Sequence, residues 1–311
     1  MPESTIEWIG VYALELLSVL LVVILGLILL LWRLFEMYYS KLWQWGKQLW
    51  RSFRNLTLVQ KLARRSPWLW AFLRQRLSPQ GYLGLHLTVG LIIGFISFRL
   101  FAVITEIVLE SQAIAQFDQA LVGALHHNAH PTAVTFFLII TDLAGRYATI
   151  GIGFVVGLIL LLYRERLLLI SWLVTLFGGS LLNTGLKAIF QRARPEFENP
   201  FLVEANFSFP SGHAMGSLII YGMLTYLLVI LLNRYLEKVI LVIAVALILL
   251  IGFSRMYLGV HYFSDIVAGY VAGVGWLAIT ISGTEVARRR KRWQSAQEPE
   301  PQEFSEQVTA G

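Results

Sequence analysis

The sequence predicts an all-α protein, a polytopic bundle of membrane helices. Hydrophobic residues make up 57% of the 311 residues and charged residues 14%, and the mean hydropathy is +0.65. These values are typical of membrane chains and exclude an ordinary soluble globular protein. Seven apolar stretches are long enough, or nearly long enough, to cross a hydrocarbon core of about 30 Å. They lie near residues 14–32, 83–105, 147–163, 167–186, 215–232, 239–253 and 266–283.

The first stretch is expected to be a retained transmembrane anchor. Glu3 and Glu7 precede it where a signal peptide would carry basic residues, the stretch is too long for a signal-peptide core, and it has no small-residue cleavage signal. Residues 1–33 are therefore predicted to form an outside segment and an anchor. The other six stretches are predicted to form a six-helix core over residues 83–283.

The basic residues predict the orientation of the helices. Ten Lys and Arg residues lie between positions 33 and 78 against one Glu, and further basic residues follow in alternate connections. By the positive-inside rule these segments face the cytoplasm, which gives an outside N-terminus and an inside C-terminus. The complementary segments, which face outward, are 106–131, 187–213 and 254–265. Four cations lie in the last two of them against this bias: Lys187, Arg192, Arg194 and Arg255.

Two further segments flank the predicted core. In residues 34–82, five tryptophans alternate with basic residues, a pattern that suits a cytoplasmic helix or helical hairpin at the lipid headgroups and, equally, a plain basic linker. Residues 284–311 begin with basic residues and continue into a stretch rich in Gln, Glu and Pro, which predicts a disordered cytoplasmic tail.

Composition excludes several kinds of site. The chain has no cysteine, so it has neither a disulfide framework, nor a thiolate metal site, nor a thiol nucleophile. The formal net charge of +6 is explained by basic residues next to apolar segments. Membrane topology therefore accounts for the charge better than a nucleic-acid partner does, and we expect no nucleic-acid partner.

Three outward-facing segments carry residues that can bind phosphate. They are KAIFQRARP at 187–195, PSGH at 210–213 and SRMYLGVHYFSD at 254–265. Lys187, Arg194 and Arg255 are cationic donors, and arginine can hold phosphate oxygens in a bidentate fork. Ser211 and Gly212 lie where a helix begins, so free backbone N–H groups there can bind an anion, and glycine lets the anion approach the chain closely.

Two histidines in these segments supply reactive groups. His261 and Asp265 are four residues apart, so they share one helix face if this region is helical. The carboxylate can then accept the Nδ1 proton and leave Nε2 free to attack. His213 is placed to protonate the leaving oxygen. Singly, cations and histidines near a membrane surface are most often structural, but three segments on one face favour a phosphoryl-transfer site.

The spacing of these residues resembles the signature of the type 2 phosphatidic acid phosphatase family. Every signature position is filled, as KxxxxxxRP at 187–195, PSGH at 210–213 and SRxxxxxHxxxD at 254–265. The resemblance covers roughly residues 83–283, including the order of six helices. The N-terminal anchor and the basic, Trp-rich segment lie outside it.

The resemblance implies a phosphatase that needs no metal and no cofactor. His261 would form a phosphohistidine, Asp265 would orient it, and His213 would act first as acid on the leaving group and then as base for water. The phosphoryl oxygens would be held by Lys187, Arg194, Ser211, Gly212 and Arg255. The expected substrate is a lipid phosphate in the bilayer, and the expected location is a bacterial-type plasma membrane with the site on the extracytoplasmic side.

The sequence leaves the substrate, the phosphoryl acceptor and the oligomeric state open. Several lipids present a terminal phosphate at the interface: phosphatidic acid, phosphatidylglycerol phosphate, diacylglycerol diphosphate and a polyprenyl diphosphate such as undecaprenyl diphosphate. A lipid phosphotransferase would use the same intermediate and pass the phosphoryl group to a second lipid. A transporter or scaffold would not require both His213 and His261.

Other polar residues are weaker site candidates. His126, His127 and His130 form a histidine-rich run, but adjacent histidines on a helix diverge and no acid lies at a clear ligand spacing, so no metal site is predicted. Asn183 and Thr184 precede Lys187 by one helical turn. They could line the substrate cleft or pack between helices.

Overall fold

The protein is all-α, as the sequence predicts. The structure, a computed structural model, describes residues 3–71, 85–232 and 236–295, and no β-strand occurs in those ranges. The helices are α1 (Glu3–Val11), α2 (Ala13–Asn55), α3 (Thr57–Arg65), α4 (Leu85–Glu110), α5 (Gln112–His127), α6 (Pro131–Asp142), α7 (Arg146–Leu162), α8 (Arg166–Phe190), α9 (Gly212–Leu231), α10 (Glu237–Tyr257) and α11 (Phe263–Ser295).

Seven helical segments of the described chain are long and apolar enough to cross a membrane, which confirms the predicted number of spans and makes this an integral membrane protein. The third span differs from the prediction, because it begins at Pro131 and joins α6 to α7. Near the junction of the two helices, the apolar sequence of this span is interrupted by Thr141, Asp142 and Arg146. The spans are Ala13–Lys41, Leu87–Glu110, Pro131–Leu162, Arg166–Phe190, Gly212–Leu231, Glu237–Tyr257 and Phe263–Gln294.

Helix α11 is at the centre of the bundle and packs on α4, α8 and α9. Small residues let the backbones approach closely, as membrane helices require. A Cβ atom at Gly90 of α4 would overlap the side chain of Ser282 of α11. Trp276 of α11 donates from Nε1 to the carbonyl of Thr175 in α8 at 2.9 Å. The central helix is therefore fixed from two sides.

The N-terminal helices also pack on the bundle. Helix α1 lies against α5, where Ile6 is buried beside Leu121. Helix α2 does not end with the apolar stretch at Trp32 but continues unbroken to Asn55, a length of about 65 Å at 1.5 Å per residue. The anchor and the start of the basic, Trp-rich segment are thus one helix, and α3 continues the segment. The predicted disordered tail beyond residue 295 lies outside the described residues.

Successive spans run in opposite directions, so the connections lie alternately at the two ends of the bundle. One end carries α5, the α8–α9 connection (residues 191–211) and the α10–α11 turn (residues 258–262). Contacts at the opposite end include an ion pair of 2.9 Å between Lys238 of α10 and Glu36 of α2. The three segments with candidate site residues therefore meet at one end, and the basic connections lie at the other.

The orientation follows from the positive-inside rule and can be tested with single cysteines, because the chain contains none. In intact cells we expect a membrane-impermeant thiol reagent to label Pro200→Cys and to leave Leu236→Cys unlabelled until the cells are permeabilised. Both positions are exposed at opposite ends of the bundle. Labelling of Leu236→Cys but not of Pro200→Cys in intact cells contradicts the orientation.

Candidate active site

His261 lies in the turn between α10 and α11. Its backbone N–H and that of Val260 donate to the carbonyl of Arg255 at 3.2 and 3.1 Å, which ends α10. Helix α11 begins at Phe263, so His261 precedes the helix and does not share a helix face with Asp265. Asp265 reaches back from the first turn instead, and its Oδ2 lies 3.3 Å from His261 Nδ1. His261 and Asp265 therefore pair as expected, but between a turn and the start of a helix and not along one helix face.

Asp265 is completely buried, and the four groups that contact its carboxylate in the described part of the chain can all donate. The backbone N–H of Tyr262 donates to Oδ2 at 2.9 Å, and the hydroxyl of Ser208 donates to the same oxygen. Arg192 NH1 donates to Oδ1 at 2.6 Å. The Tyr262 contact also caps the start of α11. The ionised carboxylate has acceptors only, so it accepts in each contact, including the one with His261.

The other ring nitrogen of His261 faces Arg194. Arg194 NH1 lies 3.1 Å from His261 Nε2. Arginine has only donors, so Nε2 accepts this hydrogen bond and the ring proton lies on Nδ1, towards Asp265. The neighbours of His261 therefore select the tautomer in which Nε2 is unprotonated and carries the basic electron pair of the ring.

His261 is held in its neutral form. Its side chain is 1% exposed. Burial, followed by the positive charges of Arg194, Arg255 and Lys187, lowers the pKa of His261 well below the ordinary value of 6.5. A neutral imidazole carries an electron pair on its unprotonated nitrogen, so this pair is present on His261 at pH 7 and below.

Lys187 and Arg194 are held by main-chain carbonyls. Lys187 Nζ donates to Phe207 O. Arg194 donates from Nε to Asn206 O at 2.6 Å and from NH1 to Val260 O at 2.7 Å. These contacts fold the α8–α9 connection over the ends of the helices and bring the first motif against the third.

Arg255, at the end of α10, is completely buried. Its NH1 donates to Thr141 Oγ1 at 2.8 Å and its NH2 to Glu204 Oε1 at 2.6 Å. Its Nε has no hydrogen-bond partner in the part of the chain that the structure describes. A buried donor without a partner is costly, so this N–H is available to an anionic ligand.

Helix α9 begins at the predicted anion-binding segment. Ser211 caps it, since its Oγ accepts from the N–H of Ala214 at 3.4 Å. The N–H of Ser211 itself donates to Asp265 O at 2.9 Å, so it is not free, contrary to expectation. The N–H groups without an intrahelical acceptor at this helix start belong to Gly212 and His213. The hydroxyl proton of Ser211 remains available to a ligand.

Gly212 lies where α8 and α9 approach closely. A Cβ atom there would lie 3.0 Å from Asn183 Oδ1 and 3.7 Å from Lys187 Cε. A side chain would therefore crowd the polar groups in front of the helix start. Asn183 and Thr184 line a cleft of about 180 Å³ with this glycine, and Asn183 also packs between helices, where its Nδ2 donates to Met215 Sδ at 3.5 Å.

His213 completes the arrangement. Its side chain is partly buried, and it lies within electrostatic range of His261, Arg194, Arg255 and Lys187. The structure therefore brings all eight predicted residues to one end of the bundle.

The three histidines at 126–130 have other contacts. His126 stacks on Phe197 with ring centroids 3.9 Å apart. His127 is exposed, and His130 caps α6 by accepting from the N–H of Thr132 at 3.3 Å. Across residues 3–71, 85–232 and 236–295, no three His, Asp or Glu side chains have a geometry that could hold a metal ion.

Sequence analysis missed a second set of contacts behind Asp265. Arg192 NH2 donates to Asp118 Oδ2 at 2.9 Å, and Asp118 Oδ1 accepts from the N–H of Ser264 at 3.2 Å. Asp118 is 1% exposed on α5, so a carboxylate from outside the three motifs caps α11 and fixes Arg192. Arg192 had a sequence signal, its charge against the topological bias, but Asp118 had none that separated it from an ordinary outward-facing acid.

Comparison with known proteins gives consistent matches. The sequence profile of the PAP2 superfamily matches residues 167–289, which include every predicted site residue. The chain is 30% identical over 182 residues to phosphatidylglycerophosphatase B of Bacillus subtilis (strain 168), covering 58% of this chain and 89% of that protein. It is 26% identical over 175 residues to an undecaprenyl-diphosphatase of Sulfolobus acidocaldarius, covering 54% of this chain and 80% of that protein.

A solved structure has a similar fold. It is the crystal structure of a transmembrane PAP2 type phosphatidylglycerolphosphate phosphatase from Bacillus subtilis, with a TM-score of 0.55 and 26% sequence identity. The match covers 67% of this chain and 98% of that one.

Asp118→Asn tests the contacts behind Asp265, because it keeps the shape of the side chain and removes the charge that pairs with Arg192. We expect kcat for a phosphate monoester to fall by up to about 100-fold, the effect of a displacement of about 1 Å at a reacting group. KM should change little, since Asp118 does not touch the three cations near His261. Steady-state kinetics measure both constants.

The matched control is Glu106→Gln, which removes an exposed carboxylate at the outward end of α4. It should leave both constants unchanged. A similar loss in the two variants, or a rise in KM at constant kcat for Asp118→Asn, contradicts a positioning role.

Proposed function

The chain belongs to the PAP2 superfamily and is a membrane phosphatase, and from this premise we propose that it hydrolyses the terminal phosphate of a lipid phosphate or diphosphate through a phosphohistidine on His261. The observation that carries the proposal is the pair of contacts of His261. Nδ1 faces Asp265 at 3.3 Å and Nε2 faces Arg194 at 3.1 Å. The ring thus presents an electron pair next to a cation that can hold the phosphoryl group under attack.

The charges around His261 support phosphoryl binding. Arg192 pairs with the carboxylates of Asp118 and Asp265. The three further cations, Lys187, Arg194 and Arg255, lie near the carboxylate of Glu204, and Asp265 and Asp142 act on them at longer range. Their side chains bring three positively charged donors to the place where a phosphoryl group with two negative charges would bind. We propose that the N–H of Gly212 and the hydroxyl of Ser211 bind further oxygens of the same group at the start of α9.

The proposed reaction has two steps. In the first, Nε2 of His261 attacks phosphorus, the bond from phosphorus to the lipid oxygen breaks, and protonated His213 gives its proton to that oxygen. In the second, neutral His213 takes a proton from water, the water oxygen attacks phosphorus, and the bond from phosphorus to Nε2 breaks. Asp265 holds the Nδ1 proton throughout and stabilises the positive charge that the ring acquires. The products are the lipid alcohol, or the lipid monophosphate from a diphosphate, and inorganic phosphate.

We propose that this reaction needs no divalent metal and no cofactor. The charge that a metal would supply at the transferring phosphoryl group is available from Lys187, Arg194 and Arg255. All three lie close enough to His261 to shift its protonation. Their side chains also supply the hydrogen-bond donors that the equatorial oxygens need.

The proposed substrate lies at the membrane surface. The relatives are named for phosphatidylglycerol phosphate and undecaprenyl diphosphate chemistry, so these two lipids are the first candidates here, followed by phosphatidic acid. We further propose that residues 83–283 form the catalytic core and that the site faces the extracytoplasmic side of a plasma membrane. The cleft beside Gly212 lies between membrane-spanning helices, where a lipid can enter from the bilayer.

The test is the release of inorganic phosphate from each purified lipid by the full-length protein in excess EDTA. We expect release from at least one of these lipids without added metal. Phosphoryl transfer to a second lipid without release of phosphate would contradict the proposed hydrolysis and would show that the protein is a lipid phosphotransferase. Loss of activity in EDTA that Mg²⁺ or Zn²⁺ restores would contradict a metal-independent site.

The roles of the two histidines can be separated by the leaving group. With a lipid substrate, His213→Ala should slow turnover by roughly 10²- to 10⁴-fold, the usual effect of a lost proton-transfer group. With a nitrophenyl ester, whose leaving group needs no proton, His213→Ala should still phosphorylate itself, whereas His261→Ala should not. Quenched-flow trapping of the phosphoenzyme measures this step. Detection of phosphohistidine in His261→Ala would contradict these roles and would make His213 the nucleophile and His261 the acid and base.

A further inference from the structure

Glu204 places a carboxylate between two arginines that the proposed mechanism uses for phosphate. Its Oε1 lies 2.6 Å from Arg255 NH2, and its Oε2 lies 3.9 Å from Arg194 NH2. Arg194 in turn contacts His261 Nε2 at 3.1 Å. Glu204 belongs to none of the three sequence motifs. It lies in the α8–α9 connection, six residues before PSGH.

The cations explain why an anion is needed there when no substrate is bound. Arg255 is completely buried, and Lys187 and Arg194 lie near it. Buried like charges repel strongly and lose their hydration, so an uncompensated cluster would destabilise this end of the bundle. The carboxylate of Glu204 contacts Arg255 directly and supplies part of the compensating charge, and Asp265 and Asp142 contribute at longer range.

The contact between Glu204 and Arg255 leaves one donor of the arginine unused, which favours replacement of the carboxylate by a phosphoryl group. Only NH2 of Arg255 meets the carboxylate, while its buried Nε has no partner in the described residues. A phosphoryl group with three oxygens can accept from Nε and NH2 together, and such a bidentate contact is stronger than a single one. The phosphoryl group is therefore the better ligand for this arginine.

Glu204 can leave without disturbing the helices. Its side chain is 27% exposed, whereas that of Arg255 is 1% exposed. It lies in a connection between helices, and within the described ranges its carboxylate contacts the side chains of Arg194 and Arg255. A rotation of the side chain can therefore move the carboxylate into water, which restores its hydration.

We propose that Glu204 is an internal anion that occupies the phosphoryl position between Arg194 and Arg255, gives way to the substrate, and returns as inorganic phosphate leaves. The proposal rests on the proposed function, since it assigns the two arginines to phosphate. It makes Glu204 a positioning residue that sets how tightly the enzyme holds phosphate. In its absence, the product would compete better with the substrate.

The test is Glu204→Gln, which keeps the size of the side chain and removes its charge. We expect the dissociation constant for orthovanadate, measured by calorimetry on the full-length protein in detergent, to fall by about tenfold or more, because competing charge is removed. The inhibition constant for inorganic phosphate should fall by a similar factor. The matched control is Glu198→Gln, an exposed carboxylate of the same connection, which should change neither constant.

Other outcomes are decisive as well. Unchanged or weaker vanadate binding in Glu204→Gln contradicts the proposal, and so does an equal change in the control. If Glu204→Gln does not fold, Glu204→Asp keeps the charge but shortens the reach, and it should tighten vanadate binding by a smaller factor. Tighter vanadate binding in a protein that hydrolyses none of the lipids would support the role of Glu204 and reject the proposed substrate class.

Discussion

The buried negative charge of Asp265 is the constraint on which the active-site end of the bundle depends. A carboxylate without water needs donors on every side, and Asp265 finds them in separate parts of the chain. Arg192 comes from the α8–α9 connection, Tyr262 and His261 from the turn before α11, and Ser208 from the segment before α9. Because these donors converge, three sequence motifs meet at one point, and the second ring nitrogen of His261 is turned towards Arg194.

The same end of the bundle concentrates positive charge around His261. Asp265 and Asp118 pair with Arg192, while Lys187, Arg194 and Arg255 lie close to His261, where their donors can receive an anionic ligand. In surroundings of low dielectric constant such a cluster binds a phosphoryl group strongly but is costly when empty. A site of this kind needs both attraction for the substrate and a means to release phosphate. The arrangement of its carboxylates therefore bears on function as much as that of its cations.

The sequence predicted the features that depend on local pattern. Hydropathy gave the number of spans, and motif spacing identified eight residues that the structure brings together. The third span was misplaced because Asp142 and Arg146 interrupt an otherwise apolar segment. Asp118 and Glu204 were missed because their partners are remote in sequence and no periodicity marks them. The expectation that His261 and Asp265 share a helix face was wrong, because α11 begins at Phe263, two residues after His261. Asp265, in the first turn of α11, instead reaches back to the turn that precedes the helix.

The central claim is that Nε2 of His261 carries the phosphoryl group during turnover, and the most direct measurement locates that group in the unmodified protein. The enzyme would be quenched in alkali during turnover of a nitrophenyl ester, digested at alkaline pH and analysed by mass spectrometry, with ³¹P NMR to assign the ring nitrogen. The account predicts a single phosphopeptide that contains His261, phosphorylated on Nε2, because Nδ1 is held by Asp265 at 3.3 Å. A phosphoryl group on His213, or on Nδ1 of His261, would contradict it.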